Sequence, residues 1–187
     1  MKLRLIMENW QKFLEEAMET EPPEGYIIII SGDRRQVHIK IRSKEKVGES
    51  PRFPEGRWKY VGEIHIERSI AVEEGNVYEV ESVEANKGYG PLLYDIAMEM
   101  VYLLGGVGLM PDRKSISYAA KNVWLKYFEE RARRGDDVKY KPLPEHLFTG
   151  AMSDRKEYLR QYYFKNGTPV IERLKQADKL ISSDFNI

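Results

Sequence analysis

The sequence predicts a fold of the α/β or α+β class, a largely antiparallel sheet flanked by helices. Runs of alternating apolar residues recur between 26 and 83. Two apolar stripes at helical spacing follow, near 91–104 and 117–132, and turns bearing glycine or proline separate the segments. At 187 residues the chain has room for one domain and one core, and 42% hydrophobic with 32% charged residues describes an ordinary globular composition.

Leu3, Ile6, Trp10, Phe13, Leu14 and Ala17 recur at spacings of three and four, which predicts an amphipathic helix over 3–19. Glu21-Pro22-Pro23-Glu24-Gly25 ends it, because proline cannot continue the hydrogen-bond ladder. Tyr26–Ile30 and Gln36–Ile41 flank the glycine-bearing turn Ser31-Gly32-Asp33-Arg34-Arg35 and read as a β-hairpin, the first strand buried on both faces and the second on one. Residues 43–57, rich in Lys, Glu, Ser, Pro and Gly, are expected to form an exposed loop.

Strands are expected over 60–70 and 77–83, a helix over 91–104 closed by Gly105-Gly106, a buried strand over 107–110 and a helix over 117–132. Val138–Leu143 reads as an edge strand, since its proline suits only an edge or an end. Two further helices are expected near 153–164 and 169–182. The chain is thus read as a single domain, 1–187: an N-terminal helix and linker over 1–24, a core over 25–145 and a C-terminal helical extension over 146–187.

Thirty basic residues balance thirty acidic ones, which weighs against nucleic acid as a partner. The absence of cysteine excludes disulfides, thiol nucleophiles and cysteine-ligated zinc. His38, His65 and His146 have no second ligand at metal-binding spacing, so no metal site is expected. No apolar run reaches membrane-spanning length and Met1-Lys2-Leu3-Arg4 lacks a signal-peptide pattern, so a cytoplasmic location is the expectation.

The stretch EANKGYGPLLYDIAMEM, residues 84–100, runs from a strand through two glycines into a helix. Such a helix mouth presents backbone N–H groups at the positive end of the helix dipole and favours phosphate. Gly88 and Gly90 let a ligand approach the main chain, and Pro91 fits the first helical position. The same pattern also serves a plain strand-to-helix turn. No Walker-type phosphate loop occurs, and Leu93 stands where a dinucleotide fingerprint needs its third glycine.

Ala85-Asn86-Lys87-Gly88-Tyr89-Gly90 resembles motif A of the GNAT superfamily of N-acetyltransferases, Gln/Arg-x-x-Gly-x-Gly/Ala, in which a splayed central strand and the loop and helix after it cradle the pyrophosphate of acetyl-CoA. Ala85 stands in place of the leading Gln/Arg, a departure that removes a side chain which normally helps hold the loop and ligand. The order of elements from 60 to 132 follows the order around motif A, about half the chain, whereas the family's first strand and two helices are replaced by one helix and a tight hairpin. The wording GYGPLLYDIAMEM and LMPDRKSISYAAKNVWLKYFEER is also similar to GNAT-like proteins encoded by tailed bacteriophages. The resemblance implies a GNAT-like sheet with an extra N-terminal helix and a C-terminal helical tail, acetyl-CoA as co-substrate and an amine as acceptor. It implies cofactor contacts from Val83, Ala85, Asn86, Lys87, Gly88, Tyr89, Gly90, Pro91 and Leu92.

Transfer to an amine needs a base for the ammonium proton and an acid for the departing thiolate. Glu79 and Glu81 enter the motif on the face expected to carry Val77 and Val83, and either would serve as base unless that face is merely solvated. The family's acid is often a tyrosine on the helix after the fifth strand. The resemblance therefore implies Tyr127, with Tyr118 second, although Trp124 lies nearer the usual position and a core aromatic is the plain alternative. Arg131, Arg133 and Arg134 cluster at a helix end and would complement its carbonyls or meet a phosphate. Tyr158 and Tyr162 would share a helical face suited to self-assembly or to assembly with phage proteins. Two functions follow from the resemblance: a CoA-dependent acyltransferase, or a non-catalytic GNAT-fold phage protein with a structural, virion or host-interaction role, located in the host cytoplasm or the virion.

Overall fold

The computed structural model describes residues 25–47, 57–72, 76–86, 88–112, 116–133, 137–148 and 156–185. The N-terminal helix and linker expected over 1–24 lie outside them. β1 (Tyr26–Gly32) and β2 (Gln36–Val47) form the expected hairpin, with Ile28 across from Ile41 and Ile30 across from Ile39. The Asp33 carboxylate organises the turn by accepting the backbone N–H of Arg35 at 2.7 Å and of Gln36 at 2.9 Å. Gly32 is required there: its φ is +123°, and a Cβ would collide with the Gln36 carbonyl oxygen.

β3 (Arg57–Arg68) pairs antiparallel with β2, and β4 (Val77–Ala85) antiparallel with β3. The loop expected over 43–57 is therefore shorter, because β2 reaches Val47 and pairs there with Arg57; residues 48–56 lie outside the described residues. α1 (Gly90–Leu103) leads to β5 (Gly108–Met110), which runs parallel to β4. α2 (Tyr118–Lys126) starts at Ser117, whose hydroxyl accepts the Ala120 N–H at 3.1 Å, and continues as a π-helical turn over Tyr127–Ala132. β6 (Val138–Pro142) pairs antiparallel with β7 (Gln161–Lys165), and α3 (Pro169–Gln176) leads to β8 (Leu180–Ser182), parallel to β1. The sheet order is β6-β7-β5-β4-β3-β2-β1-β8, a mixed and mostly antiparallel α+β arrangement with β6 at an edge.

The C-terminal region departs from expectation. Instead of a helix over 153–164, a short 3-10 turn (Glu157–Leu159) precedes β7, which alternates buried and half-buried residues and sits inside the sheet between β5 and β6. Tyr158 and Tyr162 consequently share no helical face. The last helix spans only Pro169–Gln176, since Asp178 turns left-handed with φ +53° and the chain returns as β8. The described residues of 146–187 thus supply two strands and one short α-helix, so they are part of the sheet and not a helical tail.

One face of the sheet carries Ile28, Ile30, Ile39, Ile41, Ile64, Ile66 and Val80, all buried against α1. Each such side chain contributes about 1.5–3 kcal/mol. α1 is buried along every residue from Leu92 to Val101, so it forms the central rod of the core, with the sheet on one side and α2 and α3 among its other neighbours. A smaller cluster of Val72, Val77, Met110 and Leu143 lies apart from this core. Among the described residues no helix is long and apolar enough to cross a membrane.

Candidate functional site

β4 and β5 pair over only three positions, Val77 with Gly108, Tyr78 with Leu109 and Glu79 with Met110. Pro111 follows Met110, and among the described residues no strand pairs with that side of Val80–Ala85. The second half of β4 therefore presents an open edge, with backbone N–H and C=O groups directed sideways. The pairing of β4 with β3 adds a bulge: His65 faces Ser82 and Ile66 faces Val80, which leaves Glu81 as the extra residue.

The bulge corrects the expected alternation. Tyr78, Val80, Val83 and Ala85 lie across from Arg68, Ile66, Ile64 and Gly62 on the core side, whereas Glu79, Ser82 and Glu84 lie on the other face. Val83 thus does not share a face with Glu79 and Val77, because one extra residue at Glu81 reverses the period-2 pattern beyond it. Glu79 is half-buried, across from Glu67, at the last position where β4 pairs with β5. Glu81 is exposed, on the open-edged stretch.

The turn after β4 is held by backbone bonds, with Asn86 N–H donating to the Val61 carbonyl at 2.8 Å and Tyr89 N–H to the Asn86 carbonyl at 3.2 Å. Lys87 lies outside the described residues. Gly88 adopts φ +101°, a left-handed conformation that suits glycine. A Cβ at Gly90 would meet no atom within 4 Å, so nothing in the fold itself demands glycine there and open space borders its main chain. Across the strands, a Cβ on Gly62 would lie 2.9 Å from the Ala85 Cβ, so β3 and β4 approach closely where the motif begins.

Tyr89 stands at the N-cap of α1 without a side-chain capping bond, Pro91 occupies the first turn, and no acidic residue neutralises that end. The first-turn amides, Gly90 and Leu92 among them, have no intrahelical acceptor, and the helix dipole adds positive potential. The Tyr89 ring lies 5.7 Å from Tyr26 at 52°, and burial together with a hydrogen bond to Tyr26 pushes its hydroxyl up to about 12. Leu92 is buried beneath the turn.

Tyr127 is buried behind this mouth, its hydroxyl 3.2 Å from the Pro91 carbonyl and 3.2 Å from Asp95 Oδ1. Burial first, and then the Asp95 charge, raises its pKa well above the usual phenol value. Its hydroxyl is committed to the first turns of α1. Tyr118 is 81% exposed on the outside of α2, and Trp124 is buried with its ring edge-on to Tyr94 at 5.1 Å. The Tyr94 hydroxyl is buried without a hydrogen-bond partner among the described residues.

Sequence reasoning missed a buried charge network behind the same helix. Arg131 Nη1 donates to Asp95 Oδ1 at 2.7 Å and its Nη2 to Asp137 Oδ2 at 2.5 Å. Lys165 Nζ donates to Glu99 Oε1 at 2.7 Å and lies 3.2 Å from Asp137 and 3.8 Å from Asp95. Glu99 also accepts the Val170 and Ile171 N–H groups at 3.1 and 2.8 Å, capping α3. Burial alone would lower the Lys165 pKa, but the Asp95 and Glu99 charges raise it, so the ammonium stays protonated. The visible signal was Asp95 and Glu99, four residues apart within an otherwise apolar helix. Arg131 accordingly belongs to the interior, Arg133 stacks on Phe128 at 4.6 Å, and Arg134 lies outside the described residues. Among the described residues no three His, Asp or Glu side chains converge as metal ligands do.

Comparison of the chain with protein-family models, with curated proteins and with solved structures finds no match.

Proposed function

We propose that this protein is a CoA-dependent N-acyltransferase of GNAT type, with acetyl-CoA as co-substrate and an amine as acceptor. The observation that carries the reading is the open edge of β4 from Val80 to Ala85, followed in the chain by a short turn and then by the uncapped N-terminus of α1. A pyrophosphate fits the amides of Gly88, Gly90 and Leu92, and an extended amide-bearing arm fits an unpaired strand edge as an added strand would. The succession β3, β4, α1, β5, α2 also follows the order that the resemblance to motif A implies.

In this reading the amine lone pair attacks the thioester carbonyl carbon, the new N–C bond forms, and the C–S bond breaks to release CoA thiolate. Glu81, exposed on the open stretch, takes the ammonium proton directly or through water. Water reprotonates the thiolate, and Tyr127 positions the first turn of α1 through Pro91 and Asp95.

A calorimetric titration with acetyl-CoA and CoA tests the reading, comparing wild type with Gly90→Trp. That substituent projects into open space, so the fold should persist while the mouth of α1 is blocked. Micromolar binding that Gly90→Trp abolishes is expected. A folded wild type that binds neither ligand would sink the proposal and leave the turn as architecture.

A further inference from the structure

The β6–β7 hairpin carries a second constellation at the other end of the molecule's central helix. Lys139 lies across from Phe164 and Lys141 across from Tyr162, so these four side chains share one face. Both lysines are exposed, and among the described residues neither makes an ion pair. Lys141 Nζ stands 6.0 Å from the Phe164 ring centre, at the outer limit of a cation–π contact. The Tyr162 and Phe164 rings are 6.2 Å apart at 38°.

The Tyr162 ring packs over Gly108 of β5, where a Cβ would collide with it. β5 and β7 share a single register pair, Leu109 with Tyr163. A cavity of about 280 Å³ opens there, lined by Phe164, by Tyr102 at the end of α1, by Val107, and by Lys141 and Asn166. Tyr102 is half exposed and Asn166 exposed, so aromatic surface and an amide face the opening.

We propose that this face binds a nucleotide, the base entering the cavity against Phe164 and Tyr102 and the phosphate meeting Lys139 and Lys141. A bare anion would use the lysines but not the flat walls, and an apolar ligand would use the walls but not the lysines. A π ring joined to an anion uses both, and base-on-aromatic stacking tolerates any base. Mononucleotides and single-stranded nucleic acid carry the same chemistry. With no net charge on the chain there is no long-range attraction, so affinity comes from this patch alone. The site is independent of the mouth of α1, since 14 helical residues place the two ends about 20 Å apart.

Calorimetry on the full chain at low salt, with AMP, adenosine, inorganic phosphate and an oligothymidylate octamer as probes, tests the proposal. AMP is expected to bind at least about tenfold more tightly than adenosine or phosphate. Lys139→Gln with Lys141→Gln, and separately Phe164→Leu, should each weaken AMP about tenfold, while Gly90→Trp leaves it unchanged. The lysine pair is on the surface, so it keeps the test valid if Phe164→Leu fails to fold. Octamer binding much tighter than AMP assigns the site to single strands, and equal binding assigns it to mononucleotides. Phosphate binding as tightly as AMP, no binding by wild type, or loss of AMP in Gly90→Trp would each overturn the assignment.

Discussion

Replacing Lys165 by methionine should be among the most damaging single changes in the molecule. The network behind α1 contains three carboxylates, Asp95, Glu99 and Asp137, and two cations, Arg131 and Lys165, with Asp95, Glu99, Arg131 and Lys165 all buried. Lys165→Met removes one cation and leaves Glu99, fully buried, with only the two N–H groups of α3 as partners. Burial already raises the Glu99 pKa against the pull of Lys165, so without that cation the carboxyl is either a stranded charge or must take up a proton, at a cost of up to about 3–5 kcal/mol. That is a large part of a typical stability of about 5–15 kcal/mol, and it corresponds to a guanidinium midpoint lower by about 1 M. Glu99→Gln should cost less, about 1–2 kcal/mol, because an oxygen remains for α3 and Lys165 keeps Asp137 at 3.2 Å and Asp95 at 3.8 Å. The double variant should lose less than the sum of the two, since the stranded charge is gone. Equilibrium unfolding monitored by circular dichroism reads all three. A Lys165→Met protein within about 1 kcal/mol of wild type, or strictly additive losses, would refute the account of this network as one coupled unit.

Tyr127→Phe removes the hydroxyl shared by Pro91 and Asp95, and an unfolding loss of about 1–2 kcal/mol is expected; under the proposed acyltransferase function KM for acetyl-CoA should rise with the pH profile of kcat unchanged, and a collapse of kcat with unchanged stability would instead mark Tyr127 as the proton donor. Gly32→Ala forces φ +123° on a residue with a Cβ and drives that Cβ into Gln36, so a loss of about 2 kcal/mol or more in urea unfolding is expected, and an unchanged midpoint would show that the hairpin tolerates another turn. His38 stacks on His65 at 4.0 Å and 10°, and burial, then the His65 and Lys40 charges, lower its pKa below the ordinary 6.5, with Glu63 opposing. The folded state then binds fewer protons than the unfolded chain just below pH 6.5, so the contribution present above that value is lost as the pH falls through the folded-state pKa. Urea midpoints at pH 7.5 and 5.5 should differ in that direction and His38→Gln should reduce the difference; an undiminished difference in the variant would assign the effect elsewhere.

The elements from Tyr26 to Pro142 were legible because each buries a face that its own neighbours in sequence announce. The hairpin shows period 2, α1 shows an apolar stripe bounded by Pro91 and Gly105, and Pro142 marks the end of an edge strand. β7 was not legible for a physical reason. Its inward positions are Gln161, Tyr163 and Lys165, and the polar ends of that row look like a solvated face until Glu99 arrives from 66 residues away to receive Lys165. The bulge at Glu81 has the same character. No residue type marks it; it follows from fitting β4 to β3, and it alone decides which face of the sheet the residues beyond Glu81 take. The glycine turn could be read locally, but the unpaired stretch beside it could not, because it depends on how soon β5 ends.

Pro91, Asp95 and Glu99 are spaced by four, so they form one stripe along α1, and each is gripped by residues of neighbouring elements. The π-helical turn holds the Pro91 carbonyl through Tyr127 and Asp95 through Arg131, while β7 and α3 hold Glu99. An apolar helix packed only by its greasy surface is free to shift along its axis at small cost, since dispersion contacts are individually weak and not directional. Polar anchors at one-turn intervals remove that freedom, because each hydrogen bond fails within about an ångström of displacement. The network therefore fixes where the first-turn amides stand relative to the open edge of β4. That is the preorganisation an anion-binding helix end needs, and it supplies a reason for burying four charges, Asp95, Glu99, Arg131 and Lys165, where hydrophobic side chains alone would have filled the space.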